Sequence, residues 1–370
     1  MKLLTVELEN FRNAVCEKIN FNDGVNLLYG KNAEGKTNVL EAIYFFARGK
    51  SFRGGKDTDI VRFSKKGYAI KIEYEKKGEI YTLEYRYFDG ARQRLLNGVK
   101  VTAKEAIGKF NAVLFCPDHL SIIKNSPSER REFLNVALSQ ADSEYILLLS
   151  EHKKLTESKN VLLKSEDGYD VSLMRAYNEK LSEVNAKIHI KRLDYINRLS
   201  EVVNRTVKEI SGGKEEVKIF YKSSILADFT RFCDVKSEYE RLLFEYEKRE
   251  SAAGMCLIGV HRDDLVFEIN GKDAKTFASQ GQQRSVALAL KIGEGEILAE
   301  EKGDLPVYLL DDVLGEFDED RKKYVLSKTL GRQMIVTACE KGDYINLDEV
   351  KMINVQEGKY REEYNAECKM

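Results

Sequence analysis

Apolar and polar positions alternate at the start of the chain, with Leu4, Val6 and Leu8 set against Thr5, Glu7 and Glu9. A period of two is the pattern of a half-buried strand. Val25, Leu27 and Leu28 form a short apolar run that predicts a buried strand, and Leu40, Ile43, Tyr44 and Ala47 then recur at helical spacing up to Gly49. Residues 68–101 predict an antiparallel meander, with YAIKIEYE, IYTLEYRYF, RQRLL and VKV separated by KKGE, Asp-Gly and Asn-Gly turns. Ala112–Phe115 is a short apolar strand stopped by Pro117, and two more apolar strands follow at Pro306–Leu310 and Gln333–Ala338.

Between them the pattern becomes helical. Ser126-Pro127-Ser128-Glu129 places a Ser at the N-cap, Pro at the first helical position and Glu at the third. Helical periodicity continues to about Gly212, broken near Asp167-Gly168, which predicts two arms of roughly 40 residues, or about 60 Å each. Leu181, Ile188, Tyr195 and Val202 recur every seven residues as a seam for packing the second arm on the first. Lys180, Lys187, Lys191 and Arg198 fall within about 20° of one line on that helix, a phosphate-contacting stripe or a solvated face. Residues 215–221 predict a strand and 236–249 a charged amphipathic helix. Residues 255–272 predict two strands around His261-Arg262-Asp263-Asp264, with an Asn-Gly turn at 270–271.

Composition narrows the class. The 370 residues are 43% hydrophobic with 3 Pro, which suits a folded, helix-rich chain of one large or two ordinary domains. Lys+Arg at 60 against Asp+Glu at 61 leaves a net charge of −1, so any polyanion site must be a local patch. The amino terminus reads as a strand, not a signal peptide, and no stretch approaches the roughly 18 apolar residues of a membrane span. The 6 cysteines form no C-x-x-C pair and are expected as buried thiols in a reducing cytoplasm; the 4 histidines, at 119, 152, 189 and 261, are too dispersed to suggest zinc.

The chemistry is carried by three stretches. Gly30-Lys31-Asn32-Ala33-Glu34-Gly35-Lys36-Thr37 fits the G-x-x-x-x-G-K-[ST] phosphate-binding pattern between a strand and a helix. Gly30 and Gly35 let backbone N–H groups curl toward phosphate oxygens, the helix dipole adds attraction, Lys36 reaches the β- and γ-phosphates, and Thr37 completes a Mg²⁺ shell. The apolar strand ending in Asp311-Asp312 delivers Asp311 to Mg²⁺ and places Asp312 to orient or deprotonate the attacking water. Ser279-Gln280-Gly281-Gln282 opens a further helix and makes a second phosphate-binding loop. A single nucleotide does not need two, so this loop is expected to close on the nucleotide of a second subunit. Asn32 and Asn38 complete the expected nucleotide contacts. The basic, glycine-rich segment 48–56 offers Arg48, Lys50, Arg53 and Lys56 as candidate contacts to DNA phosphates.

Together, GKNAEGKT, SQGQQRS and LLDD followed by Glu316-Phe317-Asp318 resemble the ABC-type ATPase head. NFRN at 10–13, GKNAEGKTNVLEAI at 30–43, SFR at 51–53, FCPDHLSIIKNSPSERREFL at 115–134 and GVHRDDL at 259–265 resemble the motifs of the bacterial RecF recombination-repair family, from the first strand to QMIVTA at 333–338. Val260, Cys116 and Phe317 stand where that family usually has Pro, Ser and Leu. The resemblance implies an α/β, two-lobed head: an ATP-binding lobe over 1–115 and 300–370, with a mixed sheet and the meander, and a lobe over 116–299 with the helical arms and the signature. It also implies a cytoplasmic, ATP-dependent homodimer that binds double-stranded DNA at gaps, works with RecO and RecR to load RecA, and takes part in the SOS response. ATP would act mainly as a dimerisation switch in a weak, DNA-stimulated ATPase. A short-armed SMC-type chromosome ATPase is the alternative. A transporter subunit is disfavoured by the roughly 245 residues between Thr37 and Gly281 and by Cys339, where a γ-phosphate-contacting His would stand. A GTPase is disfavoured by the lack of an N-K-x-D element.

Overall fold

The computed structural model describes residues 1–165, 169–225, 230–328, 331–342 and 350–363. The chain divides into two compact units, Met1–Ser121 with Ala287–Met370, and Ile122–Val286. These divisions differ from the 115/116 and 299/300 expected from the sequence, and the second falls inside the helix Gln280–Lys302.

The first unit contains two six-stranded sheets. One is antiparallel: β1 (Lys2–Glu9), β2 (Cys16–Asn20), β4 (Gly67–Lys76), β5 (Glu79–Phe88), β6 (Ala91–Leu96) and β7 (Val99–Lys100), in the order β2-β1-β4-β5-β6-β7. The expected meander is its second half. Its turns Lys77-Gly78, Asp89-Gly90 and Asn97-Gly98 have positive φ at both central residues, the geometry that matches strand twist. The other sheet runs β15-β14-β3-β13-β12-β8. Its strands are β3 (Val25–Tyr29), β8 (Ala112–Phe115), β12 (Val307–Asp311), β13 (Met334–Ala338), β14 (Lys351–Gln356) and β15 (Lys359–Glu363). All neighbours are parallel except β14 and β15. Parallel strands covered on both faces read as unbroken apolar runs, which is why β8, β12 and β13 were legible. The hairpin β14–β15 was not expected: MINVQ is short, and β14 is a strand because β3 offers it a parallel edge.

Helix α1 (Lys36–Arg48) packs against β8, β12 and β13 of one sheet and β1 of the other, and every residue from Asn38 to Ala47 is buried. Gly49, at φ 80°, ends it. Short helix α2 (Asp57–Ile60) lies between α1 and β4, and α3 (Ala103–Ala106) between β7 and β8.

The second unit is helical around a small sheet. The expected first arm is two helices, α4 (Pro127–Ala141) and α5 (Ser143–Leu163). They break at Asp142, extended at φ −130°, whose carboxylate caps α5 by accepting the Glu144 N–H. Ser126 stands at the N-cap of α4, but its hydroxyl bonds Ser128 and Glu129 side chains. The second arm is α6 (Val171–Ile210), unbroken over 40 residues. Its expected seam, Leu181, Ile188, Tyr195 and Val202, is buried, and the helix packs on α5 and α7 (Phe232–Glu245). The break expected near Asp167-Gly168 lies outside the described residues. The helix expected over 236–249 is likewise two, α7 and α8 (Glu247–Ala253). Strands β9 (Val217–Lys222), β10 (Asp264–Ile269) and β11 (Lys272–Asp273) form an antiparallel sheet in the order β11-β10-β9.

Only one of the two strands expected around His261 exists. Four residues of 256–260 donate their backbone N–H groups to side chains: Cys256 to Asn160 (2.7 Å), Leu257 and Ile258 to Glu250 (2.7 and 3.2 Å), and Val260 to Asn185 (3.1 Å). Glu250 is itself fixed by a fully buried pair with Lys159 at 2.6 Å. With its donors taken, the segment has no ladder to join. Helix α9 (Ala274–Phe277) precedes α10 (Gln280–Lys302), and α11 (Glu319–Lys328) follows β12.

The thiols depart from expectation. Cys116 and Cys256 are buried, whereas Cys16, Cys233 and Cys339 are exposed; Cys368 lies outside the described residues. Among the described residues no helix is long and apolar enough to cross a membrane.

Candidate nucleotide site

The loop between β3 and α1 turns on Gly30 (φ 154°) and Gly35 (φ 117°), conformations that an L side chain rarely adopts. A Cβ on Gly30 would sit 2.3 Å from Val355 O, and one on Gly35 would press on Asn13 and the Tyr360 hydroxyl. All three neighbours belong to segments that brace the loop. Tyr360 donates to Gly35 O (3.0 Å), and the Gly358 N–H donates to Glu34 O (2.8 Å). The β14–β15 hairpin therefore holds the loop from one side and Asn13, donating to Glu34 O at 2.9 Å, from another.

Lys36 is buried, and its ammonium donates to Gly30 O (2.6 Å) and Lys31 O (3.1 Å). Thr37 donates its hydroxyl to Asp311 Oδ1 at 2.8 Å. Thr337, at the end of β13, donates to the same oxygen at 2.9 Å and accepts from the Asp312 N–H at 2.9 Å. Asp312 adopts φ 49° immediately after β12. Burial pushes the Asp311 carboxyl above its ordinary value, opposed by the hydroxyls of Thr37 and Thr337.

A cleft of about 500 Å³ opens over this constellation, lined by Arg12, Asn13, Asn32, Ala33, Gly35, Lys36, Thr37, Asn38, Arg53, Asp59, Val61 and Asp312. Its volume falls in the range of small-molecule sites. Arg12 grips the fully buried Glu41 of α1 through two bonds (3.0 and 2.6 Å). Arg53 reaches Asn38 Oδ1 (3.0 Å) and approaches Glu41 (3.6 Å), and Asn38 donates to Asn13 (2.7 Å). Three cations, Arg12, Lys36 and Arg53, thus face one cleft, with Glu41 behind two of them. Such a lining suits a polyanionic ligand.

The Thr37 hydroxyl and an Asp311 oxygen are a hard-oxygen donor pair within 2.8 Å, with the carboxylate shielded from solvent. That donor set fits Mg²⁺, which takes one or two protein oxygens and completes its shell with phosphate and water.

The expected site residues separate into groups. Gly30, Asn32, Gly35, Lys36, Thr37, Asn38, Asp311 and Asp312 belong to the first unit, around the loop. Ser279, Gly281 and Gln282 belong to the second. There Ser279 and Gln282 form a capping box, the Gln282 N–H donating to Ser279 Oγ (3.2 Å) and the Ser279 N–H to Gln282 Oε1 (2.9 Å). Gln282 also donates to Glu215 (3.0 Å), and Ser279 is exposed. Of the basic segment, Arg53 faces the cleft, Arg48 donates to Ser51 O (3.2 Å), and Lys50 and Lys56 are exposed. On the α6 stripe Lys187 pairs with Glu183, Lys191 with Asp142 and Glu144, and Arg198 with Asp194; Lys180 is exposed. Arg12, Asn13, Glu41, Thr337 and Tyr360 were given no role by sequence reasoning. The NFRN motif was the available signal for the first two, and GKNAEGKTNVLEAI for Glu41.

The family model described as the RecF/RecN/SMC N-terminal domain matches residues 2–362. The DNA replication and repair protein RecF of Clostridium acetobutylicum is 34% identical over 93% of this chain and 94% of its own length. That of Caldanaerobacter subterraneus subsp. tengcongensis is 37% identical over 93% and 95%. A solved structure described as the recombination mediator protein RecF with ATP in the RecFOR pathway superposes with a TM-score of 0.92 at 34% identity, covering 98% of each chain. An SMC head bound to the C-terminal winged-helix domain of ScpA, at 15% identity and a TM-score of 0.56 over 98% and 97%, shares the fold. The fold is that of the ABC-type ATPase head, with a phosphate-loop sheet, an antiparallel meander and a helical-arm unit, and the chain belongs to the RecF/RecN/SMC family, among its RecF members.

Proposed function

We propose that the chain is a recombination-mediator ATPase, a homodimer assembled by Mg·ATP that engages double-stranded DNA at gaps. It would work with RecO and RecR to promote RecA loading. The observation that carries the nucleotide part is the meeting of Thr37, Asp311, Thr337 and Asp312 at the mouth of a cleft walled by Lys36, Arg12 and Arg53. The relatives described as RecF, one of them solved with ATP, support the wider role.

In this reading Lys36 exchanges the carbonyls of Gly30 and Lys31 for phosphate oxygens, and the loop N–H groups complete the cradle. Thr37 and Asp311 would hold Mg²⁺, which when bound would neutralise phosphate charge. Asp312 orients the attacking water and accepts its proton. Ser279 and Gly281 of a second copy supply donors to the γ-phosphate, with Gln282 beside them, so that each nucleotide lies between two chains. ATP then acts chiefly as a dimerisation switch, with slow, DNA-stimulated turnover.

Light scattering of the full chain with Mg·ATP, Mg·ADP or no nucleotide, with and without duplex DNA, tests this reading. Dimers are expected with ATP and monomers without it. An unchanged mass in all conditions contradicts it.

A further inference from the structure

Immediately after Val61, which lines the nucleotide cleft, the chain makes the turn Arg62-Phe63-Ser64-Lys65-Lys66. Phe63 is 94% exposed, the most exposed large apolar side chain among the described residues. The turn is held firmly. Arg62 N–H donates to Asn10 O (2.8 Å), Lys65 N–H to Arg62 O (3.0 Å) and Asp89 N–H to Lys66 O (3.0 Å), and Ser64 takes φ 66°. Arg62, Lys65 and Lys66 have no ion-pair partner among the described residues, unlike Lys187 and Lys191 of α6.

A second exposed ring stands beside it. Phe88, 64% exposed, pairs across the sheet with Gly67, where a Cβ would meet Tyr87 O at 2.3 Å and the Phe88 ring at 2.9 Å. Lys65, Lys66 and Phe88 contribute to the lining of a basin of about 470 Å³, to which Glu9 and Glu84 also contribute. Arg86 on the same wall is paired with Glu84, so the unpaired cations of the basin are those of the turn. Unpaired cations interleaved with exposed rings are the composition that grips a nucleic-acid backbone while stacking on its bases.

We propose that this turn docks DNA at a gap or end, with Arg62, Lys65 and Lys66 on the phosphates and Phe63 stacked on a base left unstacked there. An uninterrupted duplex offers no free base face, so the ring confers preference for the interruption. The proposal rests on the DNA-repair reading above. It also places the DNA contact next to the nucleotide cleft, since Asn10, which holds Arg62, lies two residues before Arg12 in the cleft wall.

The test measures binding of the full chain, with Mg·ATP, to a dumbbell duplex with closed ends and to the same dumbbell carrying a gap, across a salt series. Wild type is expected to prefer the gapped form. Phe63→Ala should bind the gapped form about tenfold more weakly and the closed form unchanged, and Phe63→Trp should restore the preference. Alanine at Arg62, Lys65 or Lys66 should each reduce the slope of log affinity against log salt by about 0.9 on both DNAs. ATP-dependent dimerisation should persist in every variant, which shows that they fold. Variants that bind both DNAs as wild type does overturn the docking assignment and leave the DNA-repair reading standing. Wild type that binds neither DNA overturns both. Loss of binding to anionic phospholipid vesicles with DNA binding intact makes the turn a membrane contact and also overturns the assignment.

Discussion

One hydroxyl sets two adjacent aspartates to different work. Thr337 donates to Asp311 and receives the Asp312 N–H, so the first carboxylate is turned inward to Thr37 while the second lines the cleft. Asp312→Asn is expected to leave Mg·ATP binding intact and slow hydrolysis by about 10²–10⁴-fold, since an amide cannot accept the water's proton. Asp311→Asn should also weaken Mg²⁺ use. Single-turnover hydrolysis beside equilibrium nucleotide binding checks both, and equal rates for wild type and Asp312→Asn remove that residue from the mechanism. Thr337→Val should lower stability by about 1–3 kcal/mol, because two buried partners lose their bond. Urea unfolding measures that loss. Lys36, Thr37 and Asp311 were legible because phosphate chemistry fixes residue type and spacing along a short stretch. Thr337 was not, and Arg12 was marked only by the NFRN stretch: a Thr ending an apolar strand carries no pattern, and both roles arise from contacts distant in sequence.

At the level of elements, what was legible depended on whether local pattern or tertiary contact decides the structure. The meander was readable because Asp89-Gly90 and Asn97-Gly98 impose their turns locally. Strand β14 and the loop at 256–260 were not, since a neighbouring strand makes the first and side-chain acceptors unmake the second. The phosphate loop depends on that unforeseen hairpin. Gly30→Ala should push the loop off Val355, costing about 1–3 kcal/mol and abolishing nucleotide binding, as calorimetry would record. The helical unit carries a pH dependence. His152, facing His261 and Arg192, is pushed down to about 3 mainly by burial, and His189, facing Arg192, Tyr221 and Tyr239, to about 4. Both are neutral when folded and gain protons only on unfolding below the ordinary histidine value. Stability therefore falls on acidification, by up to about 2.7 kcal/mol per histidine between pH 6.5 and 4.5. His152→Gln should flatten that fall in a urea series, and an unchanged slope would contradict the assignment.

For the whole molecule, a net charge of −1 leaves no general attraction for DNA, so the proposed DNA contact would have to be a local surface. In the proposed function the two compact units would carry complementary halves of the chemistry: the loop, Asp311 and Asp312 in one, Ser279-Gly281-Gln282 in the other. A symmetric pair of chains with two nucleotides at its seam would join those halves and make assembly report nucleotide occupancy. The most direct test mixes two variants, Lys36→Met and Ser279→Arg, each inactive alone. A heterodimer with shared sites carries one site with both lesions and one with neither, so the account predicts that partial ATPase activity returns on mixing. With heterodimers demonstrated to form, activity that stays absent would contradict it, because a site built within one chain keeps a lesion in every copy.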